Sequence, residues 1–344
     1  MSTSDPVVSG GDLTPKEISA VLAQYRLGDL ESVRPFLAGS SRAPKARITT
    51  ESGVFLLKRL APSRSDSEGM VFQHLLLRHL SKSGFPVAEL QASTDNRTMV
   101  SSDGHHYEVA RWVDGQRYGF VPASAKASGA AMAAMHDLLE SLTERAPSRR
   151  GYHDRPDVAK AAANLAKDAE SNVRIGYERL GDHLQLARRK VRESWKQMPV
   201  TVAHGDWHPG NILFGDDRVV AVIDFESARA EARVADLANG LLQFSFNRLA
   251  GSPVSEWPIS CDMELLTAMG SGFQLVARHR LDATECDCIP SLMIESLATE
   301  IIIALHRKGQ VRKMGPDVAL PWIVARLDWI DEHRQDVVDA LASR

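Results

Sequence analysis

Cysteine is nearly absent: Cys261, Cys286 and Cys288 are the only three in 344 residues. An odd, sparse set excludes a disulfide framework and fits a reducing compartment. The Cys286-x-Cys288 spacing, with no second pair, is too close for a zinc knuckle. Charge of one sign is also lacking. Basic residues number 41 and acidic residues 44, for a formal net charge of −3, which excludes a strongly basic nucleic-acid binder at the level of the whole chain. No apolar run approaches the ~20 residues of a membrane helix. The opening stretch MSTSDPVVSGGDLTP is polar and has no apolar segment of the secretory kind. Residues 1–15 are therefore expected to be a flexible leader. The protein is expected to be cytoplasmic, a monomer or homodimer, with no nucleic-acid or membrane partner. There is no internal repeat, no G-x-G-x-x-G loop and no Walker A motif.

The rest of the composition is ordinary for a globular chain, 44% hydrophobic and 25% charged, and the length suits two domains or two lobes. Thr14 before Pro15, with Glu17 three residues on, reads as a capping box opening a helix. VRPFLAG reads as a short strand. ARITTESGVFLLKRL reads as two strands joined at residues 51–53. Phe72, Leu75, Leu76 and Leu80 predict a helix over 67–81, stopped by Gly84 and Pro86. A second hairpin turns at Asp103-Gly104. After Gly115 the chain becomes rich in Ala and Met, then in charged helical stretches over 156–196. Segment 198–228 interrupts these with the short apolar runs VTVAH, NILF and VVAVIDF, and helices resume near Asp236. Strands first and helices later predict an α+β chain of two lobes, residues 16–114 and 115–344.

The chemistry concentrates in His204-Gly205-Asp206-Trp207-His208-Pro209-Gly210-Asn211 and Val222-Ile223-Asp224-Phe225-Glu226. Pro209 and Gly210 prevent regular structure between Asp206 and Asn211. NILF and VVAVID, joined at Gly215-Asp216-Asp217, read as a hairpin that returns Asp224 to the end where Asp206 and Asn211 lie. Two carboxylates and an amide oxygen suit a hard cation such as Mg²⁺. An isolated Asp in a turn more often bonds its own backbone; the company of Asn211 and Asp224 shifts the balance for Asp206. Lys58 lies inside the apolar run VFLLKRL. A charge there is costly unless it is paired or the strand is an edge that lets the amine reach water. Arg59 points to the opposite face, toward solvent.

HGDWHPGN followed by VIDFE resembles the aminoglycoside phosphotransferase and choline kinase-like superfamily, distant relatives of protein kinases. The resemblance implies a bilobal protein kinase-like fold: an N-terminal nucleotide-binding lobe of antiparallel sheet plus helix, and a larger, mostly helical C-terminal lobe for catalysis and acceptor binding. It implies a small-molecule kinase that transfers the γ-phosphoryl of ATP to a hydroxyl of a metabolite or antibiotic. Aminoglycosides, homoserine, choline-like alcohols and sugars are all acceptors in that superfamily. By the same resemblance Asp206 is the catalytic residue, Asn211 and Asp224 hold Mg²⁺, and Lys58 meets the ATP phosphates. The helix carboxylate that such a lysine pairs with is expected at Glu68, with neutral Gln73 the other position. Ser40 and Ser41, in a Gly/Ser turn, are expected at the phosphates, and backbone groups of Arg111 and Val113 at the adenine. Glu226 stands where protein kinases carry the glycine of D-F-G. Other classes compatible with the residues are a catalytically silent nucleotide-binding module and a metal-dependent phosphohydrolase, the latter leaving Lys58 without a task.

Overall fold

Thr14 caps helix α1 (Pro15–Leu22) as its neighbours dictate. Its hydroxyl accepts the Glu17 N–H, and the Glu17 carboxylate accepts the Thr14 N–H in return. Glu17 Oε1 also accepts from Arg59 Nη1 at 2.7 Å and from the Tyr107 hydroxyl at 2.8 Å. Arg59 is thus not a solvated residue. It is a mostly buried ion-pair partner that fastens α1 to the sheet. The computed structural model describes residues 12–36, 43–60, 68–147, 151–153, 155–246, 252–253 and 256–342. Contacts divide the chain into two compact units, Met1–Asp114 and Gly115–Arg344.

In the first unit, β1 (Leu30–Pro35), β2 (Lys45–Thr50), β3 (Gly53–Arg59), β4 (Val100–Ser102) and β5 (His105–Arg111) form an antiparallel sheet in the order β1-β2-β3-β5-β4. Helix α2 (Glu68–Lys82) lies between β3 and β4 in the chain. Both hairpins turn where the polar residues predicted. The edge strand β1 is exposed along its length and carries Glu31, Arg34 and Pro35, residues that discourage further pairing. Alternation along β2 and β3 sends Ile48, Phe55 and Leu57 into a core with Ile18, Val21, Tyr107 and Val109. Lys58 stands between Lys45 on one side and Glu108 on the other. An edge position for this lysine is therefore excluded.

The second unit runs α3 (Pro122–Leu139), α4 (Pro156–Asp168), α5 (Ser171–Trp195), β6 (Val200–Ala203), β7 (Ile212–Gly215), β8 (Arg218–Val222), β9 (Arg229–Ala232), α6 (Arg233–Ser245), α7 (Met263–Val276), α8 (Ala283–Lys308), α9 (Pro316–Glu332) and α10 (Arg334–Ala342). β7 and β8 form the expected hairpin, and β6 pairs antiparallel with β9. The sequence did not announce β9, because Arg-Ala-Glu-Ala carries no apolar alternation. Helix α8 is long and apolar enough to cross a membrane by length and composition, although charged residues break its apolar run; 83% of its most apolar window is buried inside the unit. Glu295, near its middle, accepts from Arg188 Nε at 2.8 Å and lies 2.7 Å from His153 Nδ1. Charges satisfied in this way mark a helix packed among others.

Helices α3 and α7 approach until their backbones touch. A Cβ on Gly129 would lie 2.0 Å from the Met269 carbonyl oxygen, and one on Gly272 would lie 2.0 Å from that of Lys126. Gly129→Ala should therefore cost at least the ~1–3 kcal/mol typical of overpacking. Gly181→Ala, on α5 where a Cβ meets nothing within 4 Å, should be neutral or stabilising. Urea unfolding of both variants checks the contrast, and equal effects would remove the close-approach argument.

Candidate active site

Beyond β6 the chain turns sharply, and Gly205 allows it. Its φ is +78°, and a Cβ there would sit 2.1 Å from Arg229 Nη1 and 2.5 Å from the Ser227 carbonyl oxygen. The N–H groups of His204 and Gly205 both donate to Asp236, to Oδ2 at 2.8 Å and Oδ1 at 3.0 Å. Asp236 lies in the first turn of α6, with His136 Nε2 3.1 Å from Oδ2. Burial opposes its charge, but the hydrogen bond and charge of His136 and the hydrogen bond from the His204 N–H hold its pKa below the usual aspartate range. His204 Nδ1 accepts the Asp206 N–H at 3.2 Å, so the ring carries its proton on Nε2, which donates to the Ile223 carbonyl at 3.0 Å. Burial pushes the pKa of His204 down, consistent with a neutral brace. Its ring packs 4.7 Å from that of Phe225. One histidine thereby ties the Asp206 loop to the segment that carries Asp224.

Asn211 Nδ2 donates to the Asp206 carbonyl at 3.0 Å and lies 3.5 Å from Asp206 Oδ2. Its Oδ1 remains as the unspent acceptor of the amide. The Ile223 N–H donates to the Asn211 carbonyl at 2.9 Å, which sets Asn211 beside the residue preceding Asp224. The structure thus brings Asp206, Asn211 and Asp224 together. Asp224 is exposed and holds a left-handed backbone, φ 66° and ψ 54°, a conformation that costs a non-glycine residue about 1–3 kcal/mol. Its carboxylate has no hydrogen bond or ion pair among the described residues. Burial opposes ionisation of Asp206, yet His208, whose Nε2 lies 3.6 Å away, and the Asn211 amide keep its pKa low. No three His, Cys, Asp or Glu gather as a metal cluster among the described residues. The donors present are an amide oxygen and carboxylates, which fits a hard cation bound through few protein ligands and substrate phosphates.

In the first unit Lys58 is buried, with Nζ 3.7 Å from Glu108 Oε1. Glu108 Oε2 lies 3.0 Å from His74 Nε2, and His74 Nδ1 lies 2.8 Å from Thr98 Oγ1. Burial opposes the charge of Glu108; the hydrogen bond from His74 and the charge of Lys58 overcome it and lower its pKa. This corrects the expectation for Glu68, which is exposed in the first turn of α2. The carboxylate comes instead from the neighbouring strand, directly across the β3–β5 ladder, and α2 contributes a histidine. A signal existed: Glu108 in HYEVA, like Lys58 in VFLLKRL, is a lone charge inside an apolar strand. For Arg111 the expectation narrows to its carbonyl. Its N–H donates to the Glu89 carbonyl at 2.8 Å, so that group cannot also serve an adenine. Val113 keeps backbone groups without a hydrogen bond among the described residues. Ser40 and Ser41 lie outside the described residues.

The model of the phosphotransferase enzyme family matches residues 32–257, which span Lys58, Asp206, Asn211 and Asp224. The chain belongs to this family. A homoserine kinase of Rhizobium meliloti (strain 1021) is 26% identical over 283 residues, 82% of this chain and 81% of the relative. A solved microcompartment-associated aminopropanol kinase matches with a TM-score of 0.69 at 15% identity, covering 94% of this chain and 98% of that one. Amicoumacin kinase hAmiN, solved with AMP-PNP, Ca²⁺ and Ami, matches with a TM-score of 0.65 at 14% identity, covering 95% and 94%. The fold is the α+β kinase-like fold implied by the sequence. The enzyme is an ATP-dependent small-molecule kinase with a hydroxyl acceptor.

Asp236→Asn keeps one acceptor oxygen but turns the other into a donor facing donors. It should cost roughly 1–3 kcal/mol for each buried group left unpaired. Because the folded pKa of Asp236 is lowered, its contribution is complete above the unfolded value of about 3.9 and is lost as pH falls through the folded value. The stability gap between wild type and variant should therefore narrow below about pH 4. Thermal unfolding between pH 3 and 7 measures it. Separately, Lys58→Met should lower the unliganded melting temperature by leaving Glu108 buried with less compensation. The Lys58→Met/Glu108→Gln pair should recover part of that loss, with a coupling of about 1 kcal/mol or more. Strictly additive effects would show that the two side chains do not interact.

Proposed function

We propose that this kinase phosphorylates the side-chain hydroxyl of a small hydroxy amino acid of the homoserine type, with Mg²⁺–ATP as phosphoryl donor. The observation that carries the site is the joint placement of Asp206, Asn211 and Asp224 on a loop and hairpin braced by Asp236 and His204. The choice of acceptor is supported by homoserine kinases being relatives over some four-fifths of the chain.

Asp206 orients the acceptor hydroxyl and takes its proton as the oxygen bonds to the γ-phosphorus of ATP and the bond to the β,γ-bridging oxygen breaks, releasing ADP. Its low pKa makes it a weak base, so its contribution is chiefly orientation and charge, with proton acceptance late in the step. Asn211 Oδ1 and the Asp224 carboxylate would hold Mg²⁺, and the bound ion supplies charge neutralisation on the phosphates. Asp224, strained and without a hydrogen-bond or ion-pair partner among the described residues, is a carboxylate kept ready for such a charge. Lys58, held by Glu108, would neutralise phosphate oxygens, and Val113 would offer backbone groups to the adenine. A phosphohydrolase would leave the Lys58–Glu108–His74 chain without purpose.

Purified enzyme should release ADP in response to L-homoserine. Asp206→Asn should lose about 10²–10⁴-fold in turnover, the span of general-base contributions, while still binding ATP. Near-normal turnover by that variant would remove Asp206 from the chemistry. Failure of every alcohol tested to elicit ADP from the wild type would remove the acceptor assignment.

A further inference from the structure

Helix α6 is built as a ruler. Asp236, in its first turn, holds the His204 and Gly205 amides. One turn on, Asn239 Nδ2 donates to the Trp207 carbonyl at 3.2 Å. After another turn, Gln243 Nε2 donates to Glu300 of α8 at 3.2 Å. Just past the helix end, Phe246 lies under the guanidinium of Arg326 of α9, 3.3 Å from ring centroid to Cζ. The steps of three, four and three residues keep these positions on one face, and the ten-residue span is roughly 15 Å. Along that face the chain sets out, in order, the loop of Asp206, a carboxylate and a cation.

The cation has no ion-pair partner among the described residues. Arg326 is 2% exposed, and its Nε and Nη2 lack any hydrogen-bond partner. The Trp322 ring, one turn away on α9, stacks 4.3 Å from Arg326 Cζ, and its own Nε1–H is also buried and unpartnered. Trp257 packs edge-on against Trp322 at 5.3 Å. The two rings and the charge of Glu300 offset part of the desolvation cost of Arg326, but Arg326 Nε, Arg326 Nη2 and Trp322 Nε1 remain three buried donor nitrogens without a hydrogen bond. Burial pulls the pKa of Arg326 down to about 9. A planar fork of donors between aromatic faces is matched by a carboxylate. Glu300 is an exposed residue whose carboxylate accepts from Gln243; partial desolvation and the like charge of Asp206 raise its pKa, while the Gln243 hydrogen bond and the charge of Arg326 work against them.

We propose that Arg326 and Trp322 form the subsite for the acceptor's carboxylate, and that Glu300, held by Gln243, receives its ammonium group. The assignment rests on the hydroxy amino acid reading above and names the residues that would enforce it. Trp322 then has two tasks. It is a hydrogen-bond donor and a plate against which the arginine is fixed.

The test compares three acceptors of one chain length: L-homoserine, 3-aminopropan-1-ol, which lacks the carboxylate, and 4-hydroxybutyrate, which lacks the amine. Wild type should favour L-homoserine over 3-aminopropan-1-ol by about 10–100-fold in kcat/KM, the worth of charge-assisted hydrogen bonds. Arg326→Met should collapse that ratio toward one, and Arg326→Lys, which keeps the charge but not the fork, should restore part of it. Glu300→Gln should narrow the preference for L-homoserine over 4-hydroxybutyrate. The unliganded melting temperature of Arg326→Met should hold or rise, because an unpaired buried charge is removed; a purely structural arginine would lower it. Equal or better use of 3-aminopropan-1-ol by the wild type would overturn the subsite and leave the kinase reading intact. Conversely, calorimetric binding of L-homoserine that disappears in Arg326→Met, with no ADP released for any alcohol, would uphold the subsite and overturn the acceptor reading. If Arg326→Met fails to fold, Trp322→Phe, which removes the unpartnered Nε1–H, should narrow the same ratio, and an unchanged ratio would overturn the subsite.

Discussion

Everything at the Asp206 loop depends on one buried carboxylate. Asp236 accepts two consecutive backbone N–H groups and faces a histidine, so that its charge is satisfied from three directions. Two adjacent amides pointing at one side chain define the local backbone path almost completely, because each fixes a peptide plane. The left-handed Gly205 follows from that path, as does the orientation in which Asp206 leaves it. A carboxylate so placed is stable when it stays ionised, and His136 together with the backbone N–H groups of His204 and Gly205 sees to that. The loop is therefore positioned by electrostatics inside the unit, and the outward-facing Asp206 is spared any structural duty of its own.

The first unit uses the same physics at Lys58. A lysine in the middle of a sheet is tolerable when a carboxylate stands directly opposite and that carboxylate is itself held, here by His74. Such a chain does little for stability beyond offsetting its own burial. What it provides is a fixed position for an ammonium group on a stem that would otherwise sample many rotamers. Sharing the task between a strand glutamate and a helix histidine changes the identity of the partner without changing the requirement that Lys58 be held.

Helix α6 links the loop to the proposed acceptor subsite. Its face gives rigid spacing, since a helix varies little in rise per residue. Placing the catalytic carboxylate's brace, Gln243 and Phe246 on a single face means that the distance from the Asp206 loop to Arg326 is set by helix geometry and is insensitive to loop motion. An arginine left without an ion-pair partner among the described residues in so ordered a setting is a cost borne by the folded protein, and the simplest recipient of that cost is a ligand's negative charge.

Local rules sufficed wherever the structure is local. The Thr14 capping box, the hairpin turns at 51–53 and 103–104, the β7–β8 hairpin and the likeness of HGDWHPGN and VIDFE to a phosphotransferase were all legible, because each depends on residues a few positions apart. Glu68 was the wrong partner for Lys58 because strand register, not helix spacing, decides which carboxylate lies across from it. Arg111 lost its free N–H to Glu89, a contact between segments that no periodicity encodes. Strand β9 forms because β6 offers it a ladder, although its own sequence has no strand pattern. Nothing in α9 alone reveals that the Arg326 guanidinium packs between Phe246 and Trp322. The amino-acid sequence by itself determined which chemical groups the chain carries and which short turns hold them. Only the tertiary structure decided which charges lose their water, because desolvation is a property of everything packed around a group and not of its neighbours in the chain.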